Sequence, residues 1–168
     1  IFKIISEAAE QKHILAYFEN RELEDAAVKN GLGGEIRQSP GDYLQVVFSN
    51  VKGSKTDFVT ENSMNLETET GSDGAVGHSL KISRVHNGGD SKYGFYNRDN
   101  SAYVKVYVPL GSQLRSIQGH SITDYKSLIG HEDFGFRRDP DLEAIESSTA
   151  KPFAGVDVFE ESGKTVFG

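Results

Sequence analysis

The chain has 168 residues, no cysteine, one methionine, a formal charge of −7 and a hydrophobic content of 36%. A domain of this size buries roughly 68–70% of its unfolded surface, so a core forms without metal or disulfide staples. The absence of thiols excludes cysteine catalysis, disulfides and thiolate metal sites. The acidic balance argues against nucleic acid or an anionic membrane surface as partner. No apolar run approaches the roughly 18 residues of a membrane span.

In chain order, Ile1, Ile4, Ile5 and Ala8 fall at helical spacing and predict a short amphipathic helix over residues 1–12. Residues 13–18 read as a buried strand. Asn20 is a natural N-cap for a helix over 21–30, with Leu23, Ala26 and Ala27 as its packed face and Gly31 as its C′ residue. Gly33 and Gly34 make a flexible exit, and Ser39-Pro40-Gly41-Asp42 marks a turn.

From there the pattern is β. Residues 43–51 form an apolar run ending in the polar corner Ser49-Asn50, and Lys52-Gly53-Ser54-Lys55 reads as the turn of a hairpin whose second strand runs from about Asp57 to Thr70. Gly71-Ser72-Asp73-Gly74 is a second hairpin signal, with a return strand over 75–85. Residues 86–100, rich in glycine and asparagine, read as a long loop. Residues 102–108 set Tyr103, Lys105 and Tyr107 against Val104, Val106 and Val108 in strict alternation. A strand is expected over 113–117, and little pattern over 119–150 beyond a short helix near 141–146. Residues 155–159 and 164–167 form a last hairpin around Glu161-Ser162-Gly163. The apolar Val166-Phe167 pair at the end predicts a neighbouring open edge, hence a natural protein that continues past Gly168. The sum is an α+β, β-rich fold: antiparallel, sandwich-like sheets preceded by a helix-strand-helix unit, in a single domain over 1–168 cut short at its C-terminal edge.

Several separated stretches carry a family resemblance. They are Lys12-His13-Ile14-Leu15 with Tyr17-Phe18, Gly41-Asp42-Tyr43-Leu44, and Asn50 with Gly53-Ser54-Lys55-Thr56-Asp57. Tyr103-Val104-Lys105-Val106-Tyr107-Val108-Pro109 with Gly111-Ser112 follows, and Gly163-Lys164-Thr165-Val166-Phe167-Gly168 closes the set. In this order they resemble the bacterial domain of unknown function 4012 family, over residues 10–118 and 155–168. The resemblance implies an extracytoplasmic location on the surface of a bacterium, a membrane anchor far upstream in the parent chain, and further residues after Gly168. It brings no catalytic set with it.

Asn50, Lys52, Lys55 and Asp57 offer an amide, two ammonium groups and a carboxylate within eight residues, which suits either a polar site for a glycan or peptide or simple turn chemistry. The histidines His13, His78, His86, His120 and His131 show no zinc-ligand spacing. His86, beside Asn87-Gly88-Gly89-Asp90, is the most accessible of them. Asp139, Asp141 and Glu143, with Glu132 and Asp133 nearby, lack the glycine of a calcium loop and read as a surface acidic run. No G-x-S-x-G or phosphate loop is present, since Gly31-Leu32-Gly33-Gly34 follows a helix rather than a strand. Tyr93, Phe95, Tyr96 and Tyr103, interleaved with Lys92, Asn97 and Arg98, suit stacking on sugar rings or a partner protein, or anchoring of the long loop. Lys105 with Asn50 or Asn62 would be the members of an isopeptide cross-link.

The expectation is a non-enzymatic envelope module for binding or structure, with candidate binding residues Asn50, Lys55, Asp57, His86, Tyr96 and Tyr103, no cofactor and no metal. Its expected partners are cell-wall glycan or an envelope protein, without nucleic acid or membrane contact by this segment. An enzyme acting on cell-wall glycan or peptide is the alternative, and would need His86 with Asp90 or Asp99 in a cleft. An oligomerisation domain completed by an added strand is the further alternative.

Overall fold

The computed structural model describes residues 2–11, 13–122, 130–137 and 140–168, which fall into two compact units, Ile1–Asp42 and Tyr43–Gly168. The fold is α+β and strand-rich, with antiparallel sheets that do not close.

The first unit holds α1 (Phe2–Glu10) and α2 (Arg21–Lys29). Asn20 caps α2 as its residue type predicts: its Oδ1 accepts from Leu23 N at 3.1 Å, and Gly31 beyond the C-terminus sits at φ 78°. Of the expected packed face, Ala27 alone is buried, while Leu23 and Ala26 are exposed. Residues 13–18 are not a buried strand. Ala16 N bonds Leu32 O at 2.9 Å, but no ladder follows, and Ile14, Leu15, Tyr17 and Phe18 stay exposed. Phe18 N turns instead to the Glu24 carboxylate at 2.7 Å. An apolar run becomes a strand only where a neighbouring strand satisfies its backbone.

The second unit holds a five-stranded sheet in the order β1-β4-β7-β6-β5 and a separate two-stranded ribbon, β2-β3. The strands are β1 (Gln45–Asn50), β2 (Thr60–Thr70), β3 (Val76–His86), β4 (Ala102–Pro109), β5 (Ala150–Phe153), β6 (Val156–Glu161) and β7 (Lys164–Phe167), and α3 (Pro140–Ser148) precedes β5.

The strand pairing differs from the expected one in two places. β1 does not pair with the strand that follows it. Its partner is β4, in a register that sets Val46 opposite Val106 and Phe48 opposite Val104. The 52–55 turn leads into a 3₁₀ helix, Lys55–Val59, which carries the chain out of the sheet before β2 begins. The last strand is not next to an open edge either. β7 pairs with β4 on one side and β6 on the other, and Gly168 and Asp157 exchange two backbone bonds at 2.8 Å beyond it. The edges of the sheet belong to β1 and β5. Residues 113–117 form no strand, and β5 appears where no strand was expected.

The two hairpins read correctly are set by their turns. Ser162 and Gly163 have φ of 52° and 71°, the successive left-handed residues that a two-residue hairpin with the native twist requires. Gly74, at φ 81°, closes the β2-β3 loop with Gly71 N bonded to Ala75 O.

The core lies along β6 and β7. Val166 is completely inaccessible, with Val156 and Tyr107 at 2% exposure. Register places Tyr107, Val166 and Phe159 in one row across β4, β7 and β6, with Lys105, Asp157 and Glu161 on the same face. Lys105 Nζ donates to Glu161 Oε2 at 2.8 Å, and the Tyr107 hydroxyl donates to the same oxygen at 2.7 Å. Because β7 separates β4 from β6, these bonds pass over the strand between them and roof Val166.

Candidate functional site

Asn50 ends β1, and its side chain builds the corner that follows. Its Oδ1 accepts from Lys52 N at 3.1 Å and Gly53 N at 3.0 Å, while its Nδ2 donates to Ser54 O at 2.8 Å and Asp57 Oδ2 at 2.9 Å. All four of its hydrogen-bonding positions are therefore used. Gly53 is needed because the corner holds it at φ 64°.

Asp57 sits on the 3₁₀ helix and meets a second amide. Asn100 Nδ2 donates to Asp57 Oδ1 at 2.6 Å and to the fully buried Thr56 Oγ1 at 2.9 Å, while Asn100 Oδ1 accepts from Arg84 Nη2 at 2.6 Å. Arg84 reaches from β3, where its Nε also donates to Asn62 at 2.9 Å, and its guanidinium lies 4.9 Å from the Phe48 ring centre. The Asn100 amide is the main influence holding the Asp57 carboxyl below its ordinary range. Partial burial opposes it, and Asn50 and Arg84 add to it. This hub ties the end of β1, the 3₁₀ helix, β3 and the start of β4 into one network.

The predicted residues thus divide. Asn50 and Asp57 come together, but their polar atoms are turned on each other. Lys55 leaves the hub, and its ammonium lies 5.7 Å from the centre of the Phe95 ring. Tyr96 packs against Phe95 at 4.5 Å and stacks with Phe58 at 5.9 Å, so Lys55 and Tyr96 share an aromatic cluster beside the hub. His86 ends β3 opposite Thr60 and is exposed. No contact joins it to Asp90 or Asp99, and Asp99 lies 3.8 Å from Lys52 instead.

Tyr103 is separate from all of these. It points to the sheet face of Lys105 and Tyr107, and its hydroxyl donates to Asp157 Oδ2 at 3.3 Å. Burial, with the Asp157 carboxylate beside it, pushes its pKa up to about 12. Lys105 bonds Glu161 rather than an asparagine, Asn50 lies on the opposite face of the sheet, and Asn62 lies in the other sheet, so the members of an isopeptide link are not brought together.

Of the acidic run, Asp139 lies outside the described residues, as do the side chains of His131 and Glu132. Among the described residues no three histidine or acidic side chains come together to hold a metal ion. No described helix is long and apolar enough to cross a membrane. A shallow concavity of about 380 Å³ lies in the first unit, against Leu15, Tyr17 and Glu35, away from every predicted site residue.

Asn100, Arg84, Asp157 and Glu161 take part without having been singled out in the sequence. Asn100 sits in a loop among other polar residues and carries no distinguishing signal. Glu161 had one: Lys105 and Tyr107 share a parity on an otherwise valine-rich strand, and a half-buried lysine calls for an acid on a nearby strand.

Burial, the largest single influence, pulls the Lys105 pKa down, but the bonds to Glu161 and Tyr107 and the charges of both together outweigh it and the net shift is upward. Burial pushes Glu161 up, but its bonds to Lys105 and Tyr107 leave it lowered. The raised Tyr103 and Lys105 values favour their protonated forms in the fold. Their contribution is present below the unfolded values of about 10 and 10.4, and is lost as pH rises through the folded ones. Thermal denaturation should therefore give a Tm that falls between pH 10 and 12. Tyr103→Phe, with no proton to lose, should flatten part of that fall, and an unchanged slope would refute the Tyr103 assignment.

Comparison with protein-family models, with curated proteins and with solved structures finds no match for this chain.

Proposed function

We propose that this chain is a non-enzymatic binding module of a bacterial cell envelope, extracytoplasmic and grouped with the domain of unknown function 4012 proteins it resembles. One observation carries the reading. The polar side chains of the Asn50–Asp57–Asn100–Arg84 hub are spent on one another, whereas the rings beside them are left outward, Phe58 at 84% exposure. A hub so bonded positions a contact surface and leaves no general acid or base free to act. Exposed contiguous aromatic surface is a mark of contact sites.

Co-sedimentation with isolated Gram-positive cell walls tests this. The full chain should pellet with the walls without releasing sugar or peptide from them, and Phe58→Ala should weaken pelleting about tenfold with an unchanged Tm. Release of soluble wall fragments by the pure protein would overturn the non-enzymatic reading.

Assembly through an added strand has one observation in its favour. The β2-β3 ribbon has no third strand among the described residues, and it exposes Met64, Leu66 and Val76 on one face. A lone two-stranded ribbon is marginal in water. A monomeric mass by light scattering at high concentration would remove this reading.

A further inference from the structure

The rings beside the hub form one continuous ridge. Tyr93 stacks with Phe95 at 5.4 Å between ring centres, Phe95 meets Tyr96 edge-on at 4.5 Å, and Tyr96 stacks with Phe58 at 5.9 Å. Phe58, Tyr93 and Phe95 are all exposed. The ridge is held by backbone rather than by burial. Asn87 N bonds Val59 O, Tyr96 N bonds Tyr93 O, and the loop passes so close to itself that a Cβ at Gly88 would lie 2.2 Å from Tyr96 O. The rings are thus presented in a fixed arrangement before any ligand arrives, which lowers the entropic cost of contact.

Two cations border the ridge. Lys55 Nζ lies 5.7 Å from the centre of the Phe95 ring, and Lys92 Nζ lies 5.0 Å from that of Tyr93. Among the described residues neither ammonium has a carboxylate within ion-pair reach, although the chain carries 25 acidic residues against 18 basic ones. Their neighbour Lys52, by contrast, lies 3.8 Å from Asp99. Flat ring faces suit the C–H faces of sugar rings, and unpaired ammonium groups suit anions. A neutral glycan would leave the lysines unused, and an acidic peptide would leave the ring faces unused. The net charge of −7 disfavours nucleic acid, which combines stacking with a much denser anionic charge.

On the reading of this ridge as the contact surface, which it rests on, we propose that the ligand is an acidic polysaccharide, a uronic-acid ring stacked on the exposed Phe58 and its carboxylates meeting Lys55 and Lys92. The test is titration of the isotope-labelled full chain with alginate oligosaccharides, followed by amide chemical shifts. Dextran oligosaccharides, polyglutamate and oligothymidylate are titrated in parallel. Saturable shifts confined to residues 55–60 and 87–97 are expected with alginate alone. Phe58→Ala should weaken binding about tenfold, and Lys55→Gln with Lys92→Gln by a similar factor. These side chains are exposed, so unperturbed spectra elsewhere certify the fold of each variant.

Equal binding of dextran would overturn the acidic assignment, equal binding of polyglutamate the sugar assignment, and tighter binding of oligothymidylate both. Alginate binding that survives Phe58→Ala and the lysine changes would overturn the assignment to the ridge. If none of the four probes binds while cell walls still bind in a Phe58-dependent way, the polysaccharide class is wrong and the contact surface stands. If wall binding is also absent, the contact-surface reading itself has failed.

Discussion

Val166→Ala is expected to lower stability by about 2 kcal/mol, roughly 8 °C in Tm. Three features converge on this residue. It is completely inaccessible. It lies in the middle strand of the five, opposite Tyr107 and Phe159 in one row. The Lys105–Glu161–Tyr107 bonds close over it from the strands on either side. The space left by two lost methyl groups cannot be filled by collapse, because the roof is fixed by its own hydrogen bonds, and a site that cannot relax retains its cavity. Chemical denaturation should show a lower midpoint with an unchanged slope, as expected when stability alone is altered. A loss below about 0.5 kcal/mol would mean that this row is not the core, the range of an ordinary surface change.

Asn100→Leu should cost a similar amount, about 2 kcal/mol, for a different reason. The change keeps the branching of the side chain and removes one partner from each of three groups at once: the Asp57 carboxylate, the Arg84 guanidinium and the buried Thr56 hydroxyl. Two of these are charged, and a charged group left without its partner costs more than a neutral one. The Asp57 side chain is 55% exposed, so water recovers part of the loss and the figure stays near the lower end. A double-mutant cycle with Asp57→Asn separates coupling from simple truncation, since members of one network are not additive. The two losses should sum to more than the double variant shows. Strict additivity would mean that Asn100 and Asp57 do not act together.

Much of the second unit was legible because it is governed by local alternation and turn chemistry. The Tyr103/Lys105/Tyr107 against Val104/Val106/Val108 pattern gave β4, and Ser162-Gly163 gave the β6-β7 hairpin. Pairing across long separations was not legible. Gly53 has the backbone conformation of a hairpin turn, yet Asn50 uses its side chain to close the corner and the chain leaves as a 3₁₀ helix, so β1 finds its partner in β4 instead. Nothing within residues 43–59 distinguishes the two outcomes. The same limit explains the apolar run at 13–18, which has the composition of a buried strand but no neighbour to make it one. At the candidate site the sequence singles out Asn50, Lys55, Asp57 and Tyr96 by residue type, but which of them turn inward is decided by Asn100 and Arg84, brought from elsewhere in the chain. Tyr103 shares a strand end with Asn50 by register, yet its side chain belongs to the other face.

On the proposed reading the hub and the ridge divide the labour: the hub holds the loop and the ridge makes the contact. The most direct test measures Tm and cell-wall binding on two variants side by side, Asn100→Leu and Phe58→Ala. A lower Tm is expected for Asn100→Leu, with binding kept at temperatures where that variant remains folded. For Phe58→Ala the expected result is an unchanged Tm with binding reduced about tenfold. Full binding by Phe58→Ala, or lost binding by a fully folded Asn100→Leu, would contradict it and return the polar hub to consideration as the site.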